Sequence, residues 1–394
     1  MFCLIPRDVW SFALPMIALL PLGCTAMLES DFSQKGDAIM FAQRGIIDPA
    51  DHIAPAVGKL LSWSPEEGFL TYGTATLIRL HKEDGTLDDW PSNIILASAH
   101  QFQSEVIPGF QDEAFEEHVY PTEKGVHMLM RFEVRTPYGT LQQAYVPVVH
   151  NKIEESSNEV NPFDRHPWDY SPASLAYRFS SDHFDGQPVP YIAEQYPEGR
   201  TKSAAGFRVS TERFSYFIGY GGSTCSLESR DGWITPVNTG YGKKRAAVFD
   251  WLADTLQPTE QIELSPETLI ICWGDSGGPL LVSQHSKGIA LLSSGRMRYA
   301  LDQIVGVASQ SPSTLSSDGH DTIFEPMLFA NVVGNRQSIE QMGRELQDEY
   351  DVPMFPSFDE LVPCPPLDGG LSTPEVCKEL GIALKSSAET SKPN

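Results

Sequence analysis

Basic side chains are scarce in this chain. Lys and Arg number 28 against 52 Asp and Glu, leaving a formal charge of -24, and a field of that sign repels phosphate backbones and anionic lipid headgroups. Nucleic acid is therefore not an expected partner. Metal-ligand patterns are missing as well: there is no H-E-x-x-H and no C-x-x-C spacing among the six cysteines, so neither a metal site nor a cofactor is expected. The long apolar run at the N-terminus, 9–22, falls short of the roughly 20 residues that cross a bilayer. Helical periodicity is scarce too. It is clear only over 335–350, where Ile339, Met342 and Leu346 recur at three- to four-residue steps.

What the chain does have is turn-forming residues and short apolar runs. With 31 Gly, 30 Pro and 41% apolar residues it reads as a folded, turn-rich protein. Strand-like runs fall at 56–61, 74–80, 94–97, 128–134, 144–149, 215–219, 279–282 and 304–308, punctuated by Gly, Pro, Asn and Asp. Many strands followed by one late helix predict an all-β protein. The acidic segment 111–117 reads as an exposed insertion.

The apolar run behind Arg7 reads as a signal peptide, 1–26, with cleavage after the small Ala26. Leu22-Gly23-Cys24 also resembles a bacterial lipoprotein signal, which would place a lipid on Cys24 as the sole membrane contact. Either route exports the chain, leaving it periplasmic, secreted or lipid-anchored at the cell envelope. A propeptide or linker, 27–45, then precedes a main domain, 46–350, and a Pro-rich extension with a disordered tail, 351–394. Cys225, Cys272, Cys364 and Cys377 remain in the body, an even number that suggests two disulfides. Cys364 with Cys377 could close a small loop and leave Cys225 with Cys272, but three connectivities are open.

The segment Gly274-Asp275-Ser276-Gly277-Gly278-Pro279 carries the most chemistry. A Ser between glycines can occupy a tight turn whose backbone N–H groups stabilise an oxyanion, here those of Gly274 and Ser276. The same letters satisfy the G-x-S-x-G elbow of α/β-hydrolases, which would make an esterase. That elbow must lead from strand into helix, however, with acid and His after the Ser. Here Leu280-Leu281-Val282 read as strand, and only His285 and His320 follow.

A Ser nucleophile needs a base, and His100 is the His that ends an apolar strand, Ile94-Ile95-Leu96-Ala97-Ser98-Ala99-His100. A carboxylate must in turn orient the imidazole.

These motifs together resemble the trypsin-like, chymotrypsin-fold serine proteases. GDSGGP resembles the family's active-site signature, Ala99-His100 its apolar strand ending in Ala-Ala-His, and Gly73 to Ile78 its Gly-x-x-Leu-Ile strand. The implied fold is two six-stranded antiparallel β-barrels with a C-terminal helix. The implied triad is Ser276 as nucleophile, His100 as base and Asp169 as acid, since Trp168-Asp169-Tyr170-Ser171 matches the start of the family's Asp-Ile-Ala-Leu strand. A second register aligns 173–179 with that strand and puts Ala173 at the acid position, with Asp164 and Asp182 as substitutes.

The resemblance further implies that Asp275 receives the ammonium created by zymogen cleavage. Arg44-Gly45-Ile46-Ile47 resembles such a junction, with Ile46 as the new terminus and an uncut linker as the other reading. Ile304 to Ser309 looks like the strand beside bound peptide, so substrate would add along Ser309 to Ser311. Counting back from Ser276 places Ile270 at the pocket floor, with Ser311 and Met327 lining an uncharged pocket suited to apolar P1 side chains. Gln101 stands where animal members carry a Cys. The reading is a monomeric serine endopeptidase acting on protein or peptide through an acyl-enzyme. A catalytically degenerate binding protein of the same fold is the other possibility.

Overall fold

The computed structural model describes residues 46–47, 50, 53–64, 68–102, 128–135, 141–151, 168–196, 214–230, 233–239, 242–250, 261–266, 269–283, 289–291, 297–299, 301–317, 321–349 and 352–356. All belong to the larger of two compact units, Met40–Asn394. The expected signal, Cys24, the linker with Arg44, the acidic insertion, Asp164, His285, His320, Cys364, Cys377 and most of the C-terminal extension lie outside these residues.

A two-residue strand, β1 (Ile46–Ile47), precedes six strands: β2 (Val57–Ser64), β3 (Gly68–Leu77), β4 (Ser92–Ala97), β5 (Met128–Arg135), β6 (Leu141–Asn151) and β7 (Ser171–Phe179). These six close into an antiparallel barrel in the order β2-β3-β4-β7-β6-β5. Period-two alternation explains its filling. Met128, Met130, Phe132 and Val134 of β5 and Ala144, Val146 and Val148 of β6 all enter one core. Burying a ring such as Phe132 contributes roughly 1.5–3 kcal/mol. Strand β4 has no polar face because both of its faces are covered: Ile95 and Ala97 enter the barrel, while Ile94 and Leu96 join a second cluster.

The second half begins with β8 (Tyr191–Ile192) and β9 (Phe214–Gly219), followed by a hairpin of β10 (Thr224–Arg230) and β11 (Trp233–Thr239). Then come β12 (Arg245–Asp250), β13 (Gln261–Leu264), β14 (Pro279–Ser283), the short pair β15 (Ile289–Leu291) and β16 (Met297–Tyr299), and β17 (Leu301–Gln310). A further pair, β18 (Ser313–Leu315) and β19 (Thr322–Phe324), precedes β20 (Met327–Asn331) and the helix α1 (Arg336–Glu349). Among the described residues this half is an eight-stranded sheet in the order β1-β12-β9-β14-β17-β20-β13, with β8 parallel to β17. Among the described residues the architecture is thus all-β, with one closed barrel, a second sheet and one helix, consistent with a chymotrypsin-like fold.

The cluster on the outer face of β4 joins the halves. Ile94 and Leu96 pack there with Tyr216, Ile218, Leu281 and Ile304, and with Ile339 and Leu346 of the helix. The helix matches its expected bounds to one residue at each end. The strand expected at 74–80 instead ends at Leu77: the Ile78 N–H still donates to Ile94 O of β4, but the chain then changes partners, and the Arg79 N–H donates to Pro190 O.

Candidate active site

Strand register brings the base and the carboxylate together. β4 and β7 run antiparallel with Ala97 opposite Ser171, so the residues just after β4 and just before β7 emerge at the same end. His100 lies there in a 3-10 turn, Ala99–Phe102, and Asp169 lies two residues ahead of β7. The Asp169 carboxylate accepts three hydrogen bonds. The His100 backbone N–H donates to Oδ1 at 2.9 Å, His100 Nδ1 lies 2.8 Å from Oδ2, and the Ser309 hydroxyl donates to Oδ2. Burial alone would raise the pKa of this carboxyl; the His100 charge, the His100 ring and Ser309 hydrogen bonds and the His100 N–H together hold it below the ordinary value. In the alternative register Ala173 would be the acid position, but Ala173 pairs with Ile95 and lies in the barrel core. Asp182 belongs to a separate 3-10 turn, Ser181–Phe184.

Ser276 is carried by the turn before β14. Gly274 and Gly277 have φ of 91° and 78°, a region open to glycine at little cost. A Cβ at Gly277 would also lie 2.1 Å from Thr74 O. The barrel pins this turn from the other side of the cleft. Ser276 O accepts the Thr74 N–H at 2.9 Å and Gln101 Nε2 at 2.9 Å. The Thr74 hydroxyl donates to Gly274 O at 2.9 Å and accepts the Tyr220 N–H at 3.1 Å. Among the described residues no hydrogen bond joins the Ser276 hydroxyl to the His100 ring; Ser276 is held by its backbone, and apo geometries of this kind tighten on substrate binding. Strand β14 starts at Pro279, so a strand rather than a helix follows the nucleophile turn, and the α/β-hydrolase elbow is excluded.

Thr74 links two loops through one hydroxyl, which gives a direct expectation. Thr74→Val keeps the shape but leaves the Tyr220 N–H and Gly274 O without their buried partner, at about 1–3 kcal/mol. Urea unfolding should report that loss.

No family model matches this chain, and no curated protein matches it. Solved structures do. The VesB protease of Vibrio cholerae is similar at 11% identity, covering 77% of this chain and 67% of that one with a TM-score of 0.36. The protease Anisep of Arthrobacter nicotinovorans is similar at 11% identity, covering 74% and 97% with a TM-score of 0.34. The Grass clip serine protease of the Drosophila Toll pathway is similar at 13% identity, covering 83% and 78% with a TM-score of 0.38.

Asp275 is buried beneath the nucleophile turn. Its Oδ1 accepts the Gly221 N–H at 2.7 Å and its Oδ2 the Cys272 N–H at 2.9 Å. It packs so closely that a Cβ at Gly219 would come within 2.0 Å of Oδ1. Burial pushes its carboxyl up to about 7, opposed by those two N–H groups and by the charge of Arg245. Arg245 is itself held by Gly221 O at 2.9 Å. Ile46, the expected zymogen terminus, is paired with Ala247 in β12. Arg245, which sequence reasoning did not single out, thus bonds the same Gly221 that donates to Asp275.

Cys225 and Cys272 form a disulfide, with Cα atoms 5.6 Å apart. It ties the β10–β11 hairpin to the segment leading into the nucleophile turn. The expected pocket residues differ in burial. Ser311 is half-buried, whereas Ile270 and Met327 are 1% and 0% exposed and belong to a packed cluster. The Ile271 N–H points at Met327 Sδ, 3.3 Å away. Ser309, expected to line the substrate strand, directs its hydroxyl to Asp169.

Proposed function

We propose that this chain is an exported serine endopeptidase. The observation that carries the reading is the buried Asp169 carboxylate, bonded to both the backbone N–H and the ring of His100, at the turn whose next residue bonds the carbonyl of Ser276. Ser276 Oγ attacks the substrate carbonyl carbon while His100 Nε2 takes its proton, and Asp169 holds Nδ1–H and stabilises the imidazolium. The oxyanion is received by the N–H groups of Gly274 and Ser276, which donate to no other group among the described residues. His100 then gives its proton to the leaving amine, and water attacks the acyl-enzyme with the same residue as base.

Extended substrate would run beside Ser309 to Ser311 as an added strand. The floor formed by Ile270, Ile271 and Met327 is uncharged and filled, which favours small apolar P1 side chains over Lys or Arg. The partner is a protein or peptide, the working form is a monomer, and the disulfide suits an oxidising compartment outside the cytosol. Among the described residues no helix is long and apolar enough to cross a membrane; a lipid on Cys24 would be the membrane contact.

Labelling with a fluorophosphonate probe tests the reading. Wild type should label at one serine and Ser276→Ala should not. An unlabelled wild type would bring the non-catalytic binding protein to the front.

A further inference from the structure

The amide of Gln101 occupies a slot that no other part of the mechanism uses. Its residue is 1% exposed. Oε1 accepts the Ser98 N–H at 3.0 Å, and Nε2 donates to Ser276 O at 2.9 Å. The two ends cannot be exchanged, because the first partner is a donor and the second an acceptor. The slot is tight on two sides: a Cβ at Gly73 would lie 1.7 Å from Nε2, and a Cβ at Gly277 would lie 2.5 Å from Oε1. Ser98 and Gln101 flank His100 in the chain, and the Ser98 hydroxyl donates to Ala308 O at 2.7 Å, next to the Ser309 that bonds Asp169. One buried amide thus bridges the turn that carries the base and the loop that carries the nucleophile.

From this geometry we infer that Gln101 is a positioning residue that sets the distance between His100 and Ser276, a non-covalent clasp across the cleft. The inference rests on the protease reading. A backbone tie of this kind matters because the attacking Oγ and the Nε2 that receives its proton lie on separate halves of the molecule, and displacements near 1 Å cost on the order of 100-fold in rate. Strand pairing does not supply the tie. β4 and β14 belong to different sheets, and among the described residues Ser276 O is held across that gap only by the Thr74 N–H and this amide.

The test is the rate of fluorophosphonate acylation against pH for wild type, Gln101→Met and Gln101→Glu, each checked for folding by circular dichroism at the assay temperature. Gln101→Met fills the slot without hydrogen bonds, and its acylation should fall on the order of 100-fold at all pH values. Gln101→Glu keeps the acceptor for Ser98, and when protonated it can still donate to Ser276 O. When ionised it sets a carboxylate against that carbonyl. Burial in this slot, 1% exposed, raises the pKa of the introduced carboxyl, so its acylation should approach wild type near pH 6 and fall at pH 9, where wild type holds its plateau, giving a bell-shaped profile. Because both arms of that profile come from one protein, poor folding of Gln101→Met does not blunt the result. Wild-type rates and a wild-type profile in both folded variants would overturn the clasp while leaving the protease reading intact. An unlabelled wild type would overturn both.

Discussion

Asp169→Asn should lower kcat by about 10⁴-fold with little change in KM. The hydrogen bonds around the carboxylate show why so small a change is so costly. Three donors converge on two oxygens: the His100 N–H on Oδ1, and His100 Nδ1 and the Ser309 hydroxyl on Oδ2. An amide has one oxygen. The His100 backbone N–H cannot reverse its direction, whereas a hydroxyl can rotate and an imidazole can change tautomer. The amide oxygen therefore takes the Oδ1 position, and its NH₂ faces Nδ1. Nδ1 must then accept, which puts the ring proton on Nε2, and Nε2 can no longer receive the proton of Ser276. The same substitution also removes the charge that stabilises the imidazolium. Steady-state kinetics on a peptide substrate would show a kcat loss at neutral pH with the fold intact. A loss of less than tenfold would mean that Asp169 does not act as the triad acid.

The nucleophile loop and the strand leading to His100 were legible because their signals are local. GDSGGP combines two glycines needed at positive φ with a following strand, and β4 runs Ile94-Ile95-Leu96-Ala97 without a polar residue because both of its faces are buried. The register of Asp169 was half legible. The chain offered two frames, and the pairing of Ala97 with Ser171 places Asp169 beside His100, a fact that depends on a partner strand some 70 residues away in sequence. The contacts of Thr74 and Gln101 were not legible for a related reason. Each bonds a backbone group far off in the chain, Gly274 O for Thr74 at a separation of 200 and Ser276 O for Gln101 at 175, and no periodicity or spacing encodes that. Met327, expected to line the pocket, is fully buried with the Ile271 N–H pointing at its Sδ, and burial of that kind depends on packing that the linear sequence does not spell out.

Asp275 should impose a pH slope on stability opposite to that of ordinary carboxylates. In the folded chain its carboxyl titrates at about 7, mainly because burial penalises the anion, against an ordinary 3.8. Between those values the folded state holds a proton that the unfolded state has released, so stability from this group is fully present below pH 4 and is lost as pH rises through 7. At 1.36 kcal/mol per unit the loss is on the order of 4 kcal/mol. Asp169 works in the other direction, since its depressed pKa contributes stability that disappears only as pH falls below its ordinary value of 3.8. Urea unfolding between pH 4.5 and 8 should therefore show wild type weakening and Asp275→Asn nearly flat. The same slope decides how the site matures. If a new terminus at Ile46 delivered its ammonium to Asp275, cleavage near Arg44 would pull the carboxyl pKa down and abolish the slope. Strand pairing holds Ile46 against Ala247, and the charge of Arg245 already acts on the carboxyl, so cleavage should leave the slope unchanged while Arg245→Met raises the folded pKa and extends the slope to higher pH. A slope that vanishes on cleavage would instead make this chain a zymogen and reduce Arg245 to a placeholder for the ammonium.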